Sequence, residues 1–243
     1  MSHEEIGVEP HHLSEHFGLE TARMVREVYA EGVDRAVLLM RHSARTFDRS
    51  IHDLLNKLTN HGRVLCENFG AALPEDIALR GYASPPERCM ETAQIAISSH
   101  VARGGEGHRT RPVEAFGVFY ALDQQKMWKG LSLSEGLADY VGQWFAGCVP
   151  EDAVIPAPLA VELILRVLKA KLATPPSSAK AKSLDLCVTH DMAIFLMRHG
   201  VGLEPVTGPD VEFLDGLIMY EKDGCTLMRS HHGGEVVLPS TSE

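Results

Sequence analysis

The sequence predicts an α/β fold with a largely parallel core sheet, on three observations. One short, continuous apolar run, AVLLM at Ala36–Met40, has the character of a strand covered on both faces, and LDLCV at Leu184–Val188 is another buried-strand candidate. Strand-like and helix-like stretches alternate along the 243 residues, the order that lays helices on the faces of a sheet. Polar breaks follow both apolar runs, as expected where strands end at a ligand-binding rim.

Taken in order, the first 35 residues read as helix, with Ala22, Val25, Val28 and Tyr29 at helical spacing and Gly32 to end it. The strand at 36–40 gives way to the loop RHSARTFDRS. Thr59 precedes a helical stretch with Val64, Leu65, Phe69 and Ala72 on one side. IALRGY at 77–82 is a second strand, and SPPERCMETAQIAISS then has the composition of a helix start. In it Ser84 is placed to cap, Pro85 to occupy the first helical position, and Glu87 to complete a capping box.

Residues 111–149 interleave aromatics with glycine and read as an insertion folding over one end of the sheet. A helix over about 158–173, a loop at TPPSSAKAKS and the strand at 184–188 follow. The helix MAIFLMRHG comes next, closed by Gly200. LIMYEKDGCTLMRS predicts a hairpin turning at Asp223-Gly224.

Composition narrows the function classes. With 33 acidic against 23 basic residues and a formal charge of -10, the chain lacks the cationic surface that nucleic acid or an anionic membrane requires. No apolar run reaches the ~20 residues that cross a bilayer, and the N-terminus lacks a secretory pattern. Cys66, Cys89, Cys148, Cys187 and Cys225 are scattered and never spaced as CxxC, which fits reduced thiols in a cytoplasmic protein and argues against structural zinc. His11-His12 and His231-His232 read as exposed termini rather than metal ligands. Oligomeric state leaves no mark on the sequence.

Three segments place chemistry at strand ends: Arg41-His42 after the first strand, Arg88 early in the helix after the second, and His190-Asp191 after the later one. Guanidinium forks and a helix N-terminus suit phosphate. A neutral imidazole is a competent nucleophile, and a carboxylic acid can protonate a departing alkoxide. Against this, Arg88 has Glu87 and Glu91 on its own helix as purely structural partners, and Asp191 could act as a helix cap.

These residues sit in motifs that resemble the histidine phosphatase superfamily, which includes cofactor-dependent phosphoglycerate mutases and histidine acid phosphatases. RHSAR at 41–45 resembles the RHG motif, LTNHG at 58–62 the LTxxG that follows it, SPPERCMETAQ at 84–94 the S-x-x-x-R-x-x-x-T-A segment, and VTHD at 188–191 the segment of the second histidine. The four occur in family order within residues 36–195. The resemblance implies a three-layer α/β/α sandwich with a mostly parallel sheet. It implies one domain over 1–243, with a helical extension at 1–35 and a small helical or loop cap at about 112–160.

It further implies a phosphatase in which His42 is the phosphorylated nucleophile, with Arg41, Arg45, Arg88 and His190 holding the phosphoryl group of a small substrate, and neither metal nor cofactor. Arg45 and the His190-Asp191 pair match the acid-phosphatase branch, making Asp191 the general acid. Glu114 fits the spacing of the acid in the other branch and stays a candidate. Ser43 replaces the glycine of the motif, where its hydroxyl could donate to the ligand or disturb the pocket. A mutase-type phosphotransferase and a catalytically weak phosphate-binding protein are the alternatives. Arg41, Arg45 and Arg49 against Asp48 place a cationic pocket inside an anionic molecule.

Overall fold

Strand β1 (Arg35–Arg41) shows why the apolar run at 36–40 has no polar alternation. Its side chains alternate between two cores. Leu38 and Met40 belong to one, and Val37 and Leu39 to the other. The computed structural model describes residues 15–48, 50–175, 178 and 180–239. His11 and His12, most of the 1–35 extension before its helix, and Arg49 lie outside them.

Around β1 the chain builds α1 (Leu19–Ala30), α2 (Asn60–Ala71), β2 (Ile77–Ala83), α3 (Glu87–Ala102), and the two-residue strands β3 (Glu106–Gly107) and β4 (Arg111–Pro112). Helices α4 (Gln124–Leu133), α5 (Leu137–Phe145) and α6 (Ala157–Ala173) precede β5 (Lys182–Thr189) and α7 (Asp191–Gly200). The chain closes with β6 (Gly216–Lys222), β7 (Cys225–Ser230) and β8 (Glu235–Val237). Residues of α1–α3 pack with one face of the sheet and those of α4–α7 with the other, giving the three layers expected.

The sheet, however, is mixed. Its order is β3-β2-β5-β1-β6-β7-β8, with β4 also on β2. Pairings on the β5 side of β1 are parallel, whereas β6, β7 and β8 are antiparallel. Since β6 and β7 form a tight hairpin with no crossover helix, they dock on the open edge of β1 in the opposite sense. The predicted turn residues carry it: Asp223 and Gly224 have φ of 51° and 77°, the left-handed pair that a two-residue hairpin needs.

Two local devices fix the helices beside the site. Thr59 accepts a hydrogen bond from the Gly62 amide at 2.9 Å and starts α2. A Cβ on Gly62 would lie 2.0 Å from the Ala44 carbonyl oxygen, so the spacing of LTNHG combines a cap with a close approach that only glycine permits. Val64, grouped above with the buried face of α2, is 49% exposed.

The capping box predicted at Ser84 does not form. Pro86 occupies the N-cap, α3 begins at Glu87, and the Ser84 hydroxyl is used elsewhere. Segment 113–155 supplies aromatic core: Phe116 and Tyr120 before α4, and Tyr140 and Trp144 on α5, are buried. No helix among the described residues is long and apolar enough to cross a membrane.

Candidate active site

Parallel pairing places the C-terminal ends of β1, β5 and β2 side by side, with Arg41 opposite Thr189 and Ala83 opposite Val188. The next residues, His42, His190 and Ser84, therefore share one rim. The mixed sheet pins β1 from both sides at that point: the His42 amide donates to Thr189 O at 2.9 Å, and the Arg41 amide to Asp215 O at 2.8 Å.

His42 is 2% exposed. Its Nδ1 lies 2.8 Å from the Ser43 carbonyl oxygen, which can only accept, so Nδ1 carries the proton and Nε2 presents a lone pair. Burial, then the charges of Arg88, His190 and Arg41, holds its pKa well below the ordinary imidazole value. The ring is therefore held neutral across ordinary pH.

Arg88, also 2% exposed, organises the cluster. Its Nε donates to His42 Nε2 at 3.1 Å and one terminal nitrogen lies 3.4 Å from His190 Nδ1. The same guanidinium donates to Asp53 O at 2.7 Å and pairs with the Asp53 carboxylate at 3.1 Å. Its structural alternatives on α3 are otherwise engaged, Glu91 with Arg63 and Glu87 with Lys57. His190 Nε2 is 2.9 Å from Ser84 Oγ, and burial and Arg88 push its pKa down to about 4. The serine read as a helix cap is thus a partner of the second histidine.

Arg45 reaches the cavity wall and pairs with Asp53 at 2.8 Å. Asp53, in a short 3-10 turn (Asp53–Leu55), was not singled out in the sequence, yet it bridges both guanidiniums. Arg41 takes a different position from the one expected. Its guanidinium pairs with Asp191 at 2.9 Å, donates to Val211 O at 2.6 Å and lies 4.2 Å over the Phe213 ring. It borders a separate cavity of about 380 Å³, with Asp191 standing between the two cavities. Asp191 is 35% exposed in its side chain. Burial raises its pKa, but Arg41, His190 and the Met192 amide overcome this and hold it below the usual carboxylate value.

Two expected site residues point elsewhere. The Ser43 hydroxyl donates to Gly62 O at 2.8 Å and is fully buried, so its one proton ties the β1 loop to α2 and is not offered to a ligand. Glu114 is exposed and is not on the cavity wall; in the short 3-10 turn it begins (Glu114–Phe116), Phe116 is the buried residue. The His231-His232 pair is also placed differently from a loose terminus. His231 lies 3.1 Å from Asp215, His232 lies 3.3 Å from Glu204, and His231 is 7% exposed.

The His42 cavity measures about 1020 Å³. Its floor is His42, Arg88, His190, Asp191 and Arg45, and its outer wall comes from α4, α5 and the loop around Ile51. Tyr120 is on that wall, with its phenol pKa raised by burial and by Asp191, so it stays a hydrogen-bond donor.

No protein-family model matches the sequence, and no curated protein matches it. Solved structures do match. A phosphoglycerate mutase from Bacillus anthracis aligns at TM-score 0.50 and 17% identity, over 82% of this chain and 94% of that one. A mycobacterial glucosyl-3-phosphoglycerate phosphatase in complex with inorganic phosphate aligns at TM-score 0.53 and 12% identity, over 86% and 97%. A protein described as mycobacterial hydrolase 2 aligns at 0.54 and 12%, over 85% and 93%. The chain has the histidine phosphatase superfamily fold. Within that fold, the motifs RHSAR, SPPERCMETAQ and VTHD supply the loop after β1, the start of α3 and the end of β5, the three pieces that meet at His42.

Proposed function

We propose that this chain is a phosphoric monoester hydrolase that works through a phosphohistidine on His42. The observation that carries the reading is the buried, neutral His42 ring, protonated at Nδ1, whose Nε2 faces the Arg88 guanidinium at 3.1 Å with His190 behind it.

In this reading the substrate phosphoryl group enters between Arg88, Arg45 and His190. It takes up the donors that now serve His42 and Asp53. His42 Nε2 attacks phosphorus, the bond to the ester oxygen breaks, and Asp191 delivers its proton to that oxygen. Water then attacks the phosphohistidine, gives its proton to Asp191 and releases inorganic phosphate with His42 neutral again. Arg88 and His190 hold the equatorial oxygens, where donors count most as charge builds in the transition state. Asp191 is supported as the acid by its position on the cavity wall, and Glu114 by none.

The weak-binder alternative rested on Ser43. Its hydroxyl bonds within the β1–α2 seam and leaves the cavity floor clear, which removes that motive. A mutase needs cations for a second anionic group of its substrate. Among the described residues, the guanidiniums on the cavity wall are Arg45 and Arg88, both already beside the reacting pole.

The test is acid- and base-quenched trapping with a 32P-labelled monoester. Label that survives base, is lost in acid and disappears in His42→Ala supports the reading. Full turnover by that variant would sink it.

A further inference from the structure

The cavity that holds His42 has two unlike ends. At the sheet rim stand the imidazoles, guanidiniums and carboxylates already described. Facing them, the cap contributes Val118 before α4, Met127, Trp128 and Leu131 along one side of α4, and Leu137 at the start of α5. The loop after β1 closes the other flank with Ile51 and Leu54. Trp128 and Leu131 are only half buried and Ile51 is 42% exposed, so this apolar surface is bared toward the space beside the reacting groups.

We infer that the substrate is a phosphate monoester of a bulky apolar alcohol or phenol, whose hydrocarbon part lies against Trp128, Leu131 and Ile51. This rests on the reading that His42 takes the phosphoryl group. The physical reasons are area and volume. About 1020 Å³ sits at the upper end of pockets that enclose a ligand of drug-like size, far beyond what a phosphoryl group fills. The apolar side chains that remain hydrated, Trp128, Leu131 and Ile51, gain by covering hydrocarbon and themselves give a hydroxyl-rich leaving group no partner, the polar lining beyond the rim being Asp48, Ser132 and Tyr120. Position adds a third reason: Trp128 and Leu131, three apart on α4, form one stripe on the cavity wall.

The stripe predicts a length dependence. Each methylene that reaches the wall should raise kcat/KM about fourfold, until the cavity is filled.

The experiment measures kcat/KM of the full chain on n-alkyl phosphates from ethyl to decyl, kept below their aggregation concentrations. Phenyl and naphthyl phosphate, glycerol phosphate and glucose 6-phosphate are assayed alongside, with His42→Ala as the baseline. The expected result is a rise with chain length, naphthyl above phenyl, and both polyols at least about tenfold below hexyl phosphate. In Leu131→Gln the ratio of decyl to ethyl kcat/KM should fall at least about fivefold. Ile51→Asn, on the opposite flank and largely solvent-exposed, provides the same readout if Leu131→Gln does not fold. His42-dependent turnover that is flat with length, or higher on the polyol phosphates, overturns the substrate class and leaves the phosphohistidine reading standing. Absence of His42-dependent turnover on every ester overturns both.

Discussion

The rim of the sheet and the cap wall enclose the same cavity but are built on opposite principles. On the rim, charges stand in fixed pairs, Arg88 and Arg45 on Asp53 and Arg41 on Asp191, and the neutral His190 is hydrogen-bonded to Ser84. On the wall, Trp128 and Leu131 stand half exposed and are held by packing rather than by charge pairs. A buried charge needs a particular partner at a particular distance, so the rim tolerates few residue types at each position. An apolar wall needs only area and volume, so many sequences make one. On the proposed reading, the rim would carry the chemistry and the wall the selectivity.

The largest effect should come from removing the centre of the rim. Arg88→Ala is expected to lower kcat/KM by about 10³-fold or more, since it deprives the transition state of a fixed guanidinium. It should also destabilise the fold, because Asp53 is left with Arg45 as its remaining partner. Activity within tenfold of the parent would break the contrast between the two regions.

Asp191→Asn comes next. On an alkyl phosphate it should cost about 10²- to 10⁴-fold, and on an aryl phosphate with an acidic leaving group less than about tenfold. Glu114→Gln should change neither by more than about twofold. Because Arg41 holds Asp191 below the usual carboxylate pKa, its protonated fraction falls as pH rises. Turnover of poor leaving groups should therefore decline with pH by up to about tenfold per unit, while good leaving groups stay level. Equal pH profiles for the two substrates would remove Asp191 from the role.

The same burial that tunes the histidines predicts a stability change. Below pH ~6.5 the unfolded chain protonates His42 and His190, while the native rim resists, His190 down to about 4. Stability should fall with pH through that window, by about 1.4 kcal/mol per unit for each histidine. His231, whose pKa Asp215 raises despite burial, works in the opposite sense. Denaturant midpoints at pH 7 and 5, compared between the parent and His190→Gln, isolate the contribution. An unchanged slope in the variant would refute it. The smallest effect is expected for Asp53→Asn, which frees two guanidiniums and should tighten inorganic phosphate several-fold, read by product inhibition.

What the sequence disclosed follows the same division. Strands at 36–40 and 184–188 were legible because both their faces are buried, and His42 and His190 because they directly follow those strands. Ser84 was misread because a serine before Pro-Pro-Glu fits a capping box. The choice of Pro86 as N-cap depends on where β2 delivers the chain. Asp53 escaped notice because its partners lie 8 and 35 positions away, with no periodic signal. Glu114 was proposed from spacing alone, and spacing does not say which side of a 3-10 turn faces inward. The hairpin was visible at Asp223-Gly224, but not which edge of the sheet it would join.

The Asp53 bridge means that the two guanidiniums on the cavity floor already carry an anion supplied by the chain itself. On the proposed reading, an arriving phosphoryl group would exchange with that tethered carboxylate, as in an ion exchanger whose resident counter-ion is part of the polymer. The apparent grip on phosphate would then be a difference between two anion affinities, and the returning carboxylate would help expel the product.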